Sequence, residues 1–314
     1  MKRYVTIDGG TTNTRVNLVA DERIIASQKI SRGAKAGIDD RDGLKIELKR
    51  AISAILDENN LKESDIIKII ASGMITSEFG LYELPHLVAP AGICELHSSM
   101  AEVSFPEISG IPFVFIRGVK VASADLAEFD MMRGEETELV GLISLLENNS
   151  NAVFVRPGSH SKIVNTDECG RIKSFSTMLT GEMIMALSSG TILKDAVDLS
   201  VDEFDSEYLL NGYSFAKSEG LNKELFKVRI LKNAFKCSPK EVYNFYLGAI
   251  LADEIDNILS SDAKTVIIGG NKRIKAPTAT LISALSDKTV LTVSDDDVER
   301  STSIGAIKIF EYND

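Results

Sequence analysis

The same local order occurs twice in this chain. GGTTNTRVNLVADERI, from Gly9 to Ile24, and PGSHSKIVNTDECGRI, from Pro157 to Ile172, each read as a glycine turn, a strand, a second turn and a return strand. Each follows a short apolar run, Arg3 to Ile7 in the first case and Ala152 to Val155 in the second. Identities between the two are few, so what recurs is a structural plan and not a sequence array. Such a plan predicts two lobes, each with a sheet whose first strand runs into a polar glycine loop.

The rest of the chain fits an α/β fold with largely parallel sheets. Leu44, Leu48, Ala51, Ile52 and Ile55 recur at helical spacing, and Ile66 to Ala71 and Pro112 to Ile116 are short enough to be buried strands. A helix is expected from Met131 or Met132. Another is expected over about 240–259, where Val242, Phe245, Tyr246, Ala249 and Ile250 form an apolar stripe. That stripe suits a core or a self-association surface, so a homodimer stays open. Strands are expected at Thr265 to Ile268 and Val290 to Val293, with a last helix from about Asp297. A length of 314 residues suggests two domains, expected as 1–120 and 121–314.

Composition narrows the function classes. A formal net charge of -11 argues against a general nucleic-acid or anionic-membrane surface, although local Arg and Lys residues can still hold an anionic small molecule. The three cysteines, Cys94, Cys169 and Cys237, form no C-x-x-C pair and supply neither a disulfide framework nor a zinc site. No run approaches the eighteen or so apolar residues of a membrane span. The start of the chain lacks a signal-peptide apolar region and a DNA-binding helix-turn-helix, so a cytoplasmic protein is expected.

Three glycine turns could carry chemistry. Asp8-Gly9-Gly10-Thr11-Thr12-Asn13 follows the first strand. Adjacent glycines let the backbone bring its N–H groups close to an anion, Thr11, Thr12 and Asn13 offer side-chain donors, and Asp8 could hold hydrated Mg²⁺. The same residues also make an ordinary polar hairpin turn. Gly158-Ser159-His160-Ser161-Lys162 repeats the small-polar-basic character in the second lobe, and Gly269-Gly270-Asn271 suits close approach to a nucleoside. Two such turns facing one another across a cleft would clamp a polyphosphate. His160 fits a ligand contact or a structural histidine, and Lys162 fits phosphate neutralisation or an exposed hairpin position. No Walker A or G-x-G-x-x-G sequence is present. Around Asp130-Met131-Met132-Arg133-Gly134-Glu135-Glu136, a helix would set Glu136 on a face with Met132 and Val140, Arg133 being a candidate partner for its carboxylate. Asp130 would be the N-cap, as Thr180 would be before Gly181-Glu182.

Together these segments resemble the 2-dehydro-3-deoxygalactonokinases, a branch of the actin/hexokinase-like superfamily. The resemblance rests on Ile7 to Arg15, on Ala71-Ser72-Gly73-Met74-Ile75-Thr76-Ser77, on Met132-Arg133-Gly134-Glu135-Glu136-Thr137-Glu138-Leu139-Val140-Gly141, on Arg156 to Lys162 and on Met178 to Glu182. Members often carry Trp where Gly9 and Leu81 stand, and this chain has no Trp. The resemblance implies two RNase H-like lobes with a central cleft, ATP and Mg²⁺ as cofactors, and phosphorylation of a 2-keto-3-deoxy sugar acid at its terminal hydroxyl. It implies nucleotide contacts at Gly9, Gly10, Thr11, Thr12, Asn13, Gly158, Ser159, His160, Lys162, Gly269 and Gly270, and the metal at Asp8. Arg15, Met74, Ser77, Arg133, Glu135 and Glu136 are the expected substrate contacts, with Arg15 or Arg133 on the substrate carboxylate. Asp130 is the expected catalytic base, with Glu135 and Glu136 as rivals. A kinase for 2-dehydro-3-deoxygluconate and a non-catalytic nucleotide or sugar sensor are the alternatives.

Overall fold

Asp21 and Glu22 both adopt positive φ, 47° and 60°, which is what a two-residue hairpin loop demands of its central residues. They join the second and third strands of the first sheet. A computed structural model describes residues 1–34, 41–146 and 151–313. Its contacts divide the chain into two compact units, Met1–Ser150 with Asp167–Ser174 and Asp296–Asp314, and Asn151–Thr166 with Phe175–Asp295.

In the first unit the elements run β1 (Arg3–Gly9), β2 (Thr14–Ala20), β3 (Arg23–Ile30), α1 (Arg41–Glu58), β4 (Lys68–Gly73), β5 (Leu87–Val88), α2 (Ile93–Ser98), β6 (Ala101–Val103), β7 (Phe113–Phe115), β8 (Val119–Val121), β9 (Asp130–Met132) and α3 (Glu135–Leu146). The main sheet has the order β3-β2-β1-β4-β7-β6, and β5-β8-β9 form a small second sheet. The β1–β2–β3 meander is antiparallel, whereas β4 and β7 join parallel to it. Leu44, Leu48, Ile52 and Ile55 of α1 pack on Val5, Ile7, Val16 and Leu18 of the sheet, as the helical spacing predicts.

The second unit contains β10 (Ala152–Arg156), β11 (Ser161–Thr166), the larger part of β12 (Ile172–Met178), from Phe175 on, α4 (Thr180–Gly190), α5 (Ser206–Glu219), α6 (Leu221–Asn233), α7 (Pro239–Leu259), β13 (Thr265–Ile268), α8 (Lys272–Leu285) and β14 (Thr289–Thr292). Its sheet order, β12-β11-β10-β13-β14, matches β3-β2-β1-β4-β7 strand for strand. The sequence recurrence is therefore a topological duplication, and the α/β class holds. Helix α7 begins with a capping box between Ser238 and Glu241, with Pro239 in its first turn. Its stripe Val242, Phe245, Tyr246, Ala249 and Ile250 is buried in the core. Among the described residues no helix is long and apolar enough to cross a membrane.

Three expectations change. The unit boundary does not fall near residue 120, because α3 and the C-terminal helix Asp295–Glu311 pack into the first unit. Their backbones touch so closely that a β-carbon on Gly141 would stand 1.9 Å from the Ser301 carbonyl oxygen, and one on Gly305 1.8 Å from that of Thr137. The helix expected from Met131 or Met132 begins at Glu135, after β9, so Met132 shares no helical face with Glu136 and Asp130 caps no helix. Thr180 is the first helical residue of α4 and not its cap; its hydroxyl instead donates to the buried Glu254.

Candidate active site

Each unit packs backbone closely against the glycine turn that ends its first strand. In the first unit, Gly10 N–H closes the turn on the Asn13 carbonyl at 2.8 Å, and Asn13 Nδ2 donates to Thr12 Oγ1 at 3.0 Å. Thr11 and Thr12 are exposed. Gly9 is paired with Gly73 at the ends of β1 and β4, and a β-carbon on Gly9 would meet Ile75 N at 2.6 Å. Gly73 then opens a 3-10 turn, Met74–Thr76, after which Ser77 Oγ donates to the Met74 carbonyl at 2.7 Å. The third segment is Gly134, with φ 111°, where a β-carbon would lie 3.2 Å from the Gly73 Cα.

The carboxylates around Gly134 have distinct environments. Glu136 is 0% exposed, and its two oxygens accept from Gly134 N–H at 2.9 and 2.8 Å, with Thr137 Oγ1 donating at 3.0 Å. Burial, reinforced by the charge of Glu135, pushes its carboxyl up to about 8 against the pull of those bonds. Glu135, at the start of α3, is only half-buried and accepts from Arg133 N–H at 3.0 Å. Asp130 lies in β9, where its Oδ1 accepts from Met131 N–H at 2.7 Å.

Arg133 is not directed at Glu136. Its guanidinium donates to the Thr76 carbonyl and hydroxyl, both at 2.7 Å, to the Leu84 carbonyl at 2.9 Å and to His86 Nδ1 at 3.3 Å. Burial, then the charges of Arg133 and Lys120, hold His86 down to about 4, so its ring is neutral and can accept. Asp8 and Arg15 are register partners, and Ser72 follows Asp8 on β4, so the three share one face of the sheet. Ser72 is buried and its Oγ has no hydrogen-bond partner. Mg²⁺ needs only one or two carboxylates beside phosphate oxygens, and a carboxylate next to an orphaned hydroxyl fits that need. Among the described residues no cluster of three or more His, Cys, Asp and Glu offers an all-protein metal site.

In the second unit, Gly158-Ser159-His160 is flanked by the start of α4 and by the Gly269-Gly270-Asn271 turn. A β-carbon on Gly181 would stand 2.4 Å from the Gly158 carbonyl oxygen, and one on Gly270, whose φ is 67°, 2.3 Å from that of Pro157. Gly181 and Glu182 N–H donate to Gly158 and Ser159 carbonyls at 3.1 and 3.2 Å, while Asn271 N–H donates to Pro157 at 2.8 Å. His160 Nε2 lies 2.9 Å from Glu182 Oε1, both side chains being exposed. Asn271 caps α8 through its side chain. Just beyond it, a cavity of about 470 Å³ is lined by Phe204, Tyr243, Lys272, Arg273 and Pro277. Lys162 is not an exposed hairpin lysine: it is 5% exposed, its ammonium donates to Thr177 Oγ1 and it lies over the Phe175 ring.

Sequence reasoning named every turn but missed His86 and Glu254. His86 carries no local motif, and Glu254 sits in α7 about a hundred residues beyond the Gly158–His160 turn.

A family model described as 2-keto-3-deoxy-galactonokinase matches residues 8–303. The chain is 25% identical over 277 residues, 85% of each chain, to the 2-dehydro-3-deoxygalactonokinase of Escherichia coli (strain K12). It is 28% identical over 200 residues to a Rhizobium meliloti (strain 1021) protein assigned the same activity, covering 62% of this chain and 59% of that one. A crystal structure of a Sinorhizobium meliloti protein assigned to that activity superposes with a TM-score of 0.76 at 23% identity, covering 98% of this chain and 100% of that one. With the family pattern running through both glycine turns and the Gly73 and Gly134 segments, this chain belongs to the 2-keto-3-deoxy-galactonokinase family.

Proposed function

We propose that the chain transfers the γ-phosphoryl group of ATP to the terminal hydroxyl of a 2-keto-3-deoxy sugar acid, 2-dehydro-3-deoxy-D-galactonate. The observation that carries this reading is the matched construction of the two turns. Each ends the first strand of its sheet, and each is packed by backbone so closely that neighbouring glycines have no room for a β-carbon. Peptide groups held in that way are pre-organised to meet phosphate oxygens. The Gly9–Asn13 and Gly158–His160 turns are the proposed phosphate contacts. The cavity beside Gly270 and Asn271 is the proposed nucleoside site, with Tyr243 and Pro277 offering apolar surface.

In the transfer the terminal hydroxyl oxygen forms a bond to the γ-phosphorus, and the bond from that phosphorus to the β–γ bridging oxygen breaks, releasing ADP. Mg²⁺, when bound, would neutralise charge on the β- and γ-phosphates, and Asp8 is the residue proposed to hold it. The hydroxyl proton needs a carboxylate. Glu135 is proposed in place of Asp130, because it adjoins Gly134, whose packing on Gly73 brings it to the end of the sheet that carries Asp8. Glu136 serves that turn as a fixed acceptor. Arg15, a half-exposed register partner of Asp8, is proposed for the substrate carboxylate, since Arg133 is engaged with Thr76, Leu84 and His86. Met74 and Ser77 are proposed to line the sugar subsite.

An ADP-release assay across a panel of sugar acids tests the reading. Release should depend on 2-dehydro-3-deoxy-D-galactonate, with the product phosphorylated at its terminal oxygen. Preference for 2-dehydro-3-deoxygluconate would move the acceptor, and ADP release indifferent to every sugar acid would reject the kinase.

A further inference from the structure

Beneath the Gly158–Ser161 turn lies a carboxylate that the proposed chemistry does not use. Glu254, on α7, is 1% exposed. Its Oε2 accepts from Thr180 Oγ1, the Ser161 hydroxyl bonds to the same carboxylate, and Oε1 has no hydrogen-bond partner. The two hydroxyls sit at the two ends of the turn's support. Ser161 is the first residue of β11, and its Oγ also accepts from Gly158 N–H at 3.4 Å. Thr180 is the first residue of α4, whose next two N–H groups donate to the Gly158 and Ser159 carbonyls at 3.1 and 3.2 Å. A closed ring of contacts results, running from Glu254 through Ser161, the turn, the start of α4 and Thr180 back to Glu254.

Desolvating a carboxylate between a helix and a sheet is costly, and an apolar side chain would fill the space without that penalty. Burial holds the Glu254 carboxyl above its ordinary range, opposed by the two hydroxyl bonds. What a carboxylate supplies there, and an alkyl group cannot, is a directional acceptor for two hydroxyls at once.

We propose that Glu254 is the positioning residue of the nucleotide turn, holding Ser161 and Thr180 so that the backbone of Gly158 to His160 keeps the conformation that receives ATP phosphates. The proposal rests on the reading of that turn as a phosphate site. Glu254→Ala, Glu254→Gln and the double variant Ser161→Ala/Thr180→Val are to be compared with the unaltered chain for kcat, KM for ATP, KM for the sugar acid and Kd for ADP. Gly181→Ala serves as a direct lesion of the turn. Glu254→Ala strands two buried hydroxyls, so KM for ATP and Kd for ADP should each rise about tenfold while KM for the sugar acid stays within about twofold. Glu254→Gln retains an acceptor and should restore most of the affinity. Gly181→Ala should move the same two nucleotide constants. If Gly181→Ala raises them and Glu254→Ala does not, Glu254 holds no position for the turn and the phosphate reading stands. If Gly181→Ala leaves both unchanged, the phosphate reading is what fails. Should Glu254→Ala not fold, the double variant decides, and an unchanged KM for ATP there overturns the proposal.

Discussion

A β-carbon on Gly73 would stand 2.5 Å from the carbonyl oxygen of Gly9, its register partner on the neighbouring parallel strand. Gly73 also has φ 82° and ψ -156°, a region that glycine alone populates freely. Gly73→Ala combines backbone strain with a clash and should lower unfolding free energy by about 3 kcal/mol, read as a lower urea midpoint. Gly190→Ala, which meets nothing within 4 Å at the end of α4, should be neutral or stabilising by about 0.5 kcal/mol. Equal midpoints for the two variants would contradict the close approach.

Glu135 and Asp130 make opposite predictions in turnover. Glu135→Gln keeps the acceptor for Arg133 N–H but cannot take a proton, so kcat should fall about a hundredfold or more with the melting temperature little changed. Asp130→Asn should leave kcat near that of the unaltered chain. The reverse pattern would return the base to β9.

Arg133 joins three segments through a planar fork, meeting Thr76, Leu84 and His86. Lysine cannot reproduce that fork. Arg133→Lys should therefore lose about 2 kcal/mol of stability, with Arg133→Met losing at least as much, because both leave buried carbonyls unpaired. Chemical denaturation checks this; full stability in Arg133→Lys would show that charge alone suffices.

Glu224 lies on the buried face of α6, 0% exposed, with no partner on either oxygen. Burial lifts its carboxyl from 4.5 to about 8. The folded chain thus retains a proton that the unfolded chain releases, and stability is lost as pH rises through that window. Glu224→Met should be more stable than the unaltered chain at pH 8, by about 1–3 kcal/mol, with a smaller gain at pH 5. Part of the pH slope should remain, since Glu136 is raised in the same sense. A gain independent of pH would show that Glu224 is not the titrating group.

Local patterns settled much of the architecture. The spacing of Leu44, Leu48, Ile52 and Ile55 and the apolar run Thr265 to Ile268 are short-range signals, and the corresponding helix and strand lie where they point. The three glycine turns were legible for the same reason, since a turn is a statement about consecutive dihedrals. Asp130 was misplaced because an Asp before an apolar helical pattern looks like a cap, whereas pairing of β9 with β8, which sets Asp130 opposite Val121, extends that residue into a sheet. The C-terminal helix could not be assigned to a unit from its sequence, because its partners, Thr137 and Gly141, lie more than a hundred and fifty residues earlier.

By itself, then, the sequence determined the α/β class, the duplicated strand plan and the positions of the glycine turns, all of which depend on residues near one another along the chain. Tertiary structure alone decided what touches those turns: Gly73 beside Gly9 with Gly134 behind it, Gly181 beside Gly158, Gly270 beside Pro157, and Glu254 behind Ser161 and Thr180. It also decided that the Lys162 ammonium meets Thr177 and that the Arg133 guanidinium meets Thr76, Leu84 and His86. The physical reason is that a side chain's partner and its desolvation are set by whatever folding packs around it, and that is not written in the neighbouring residues.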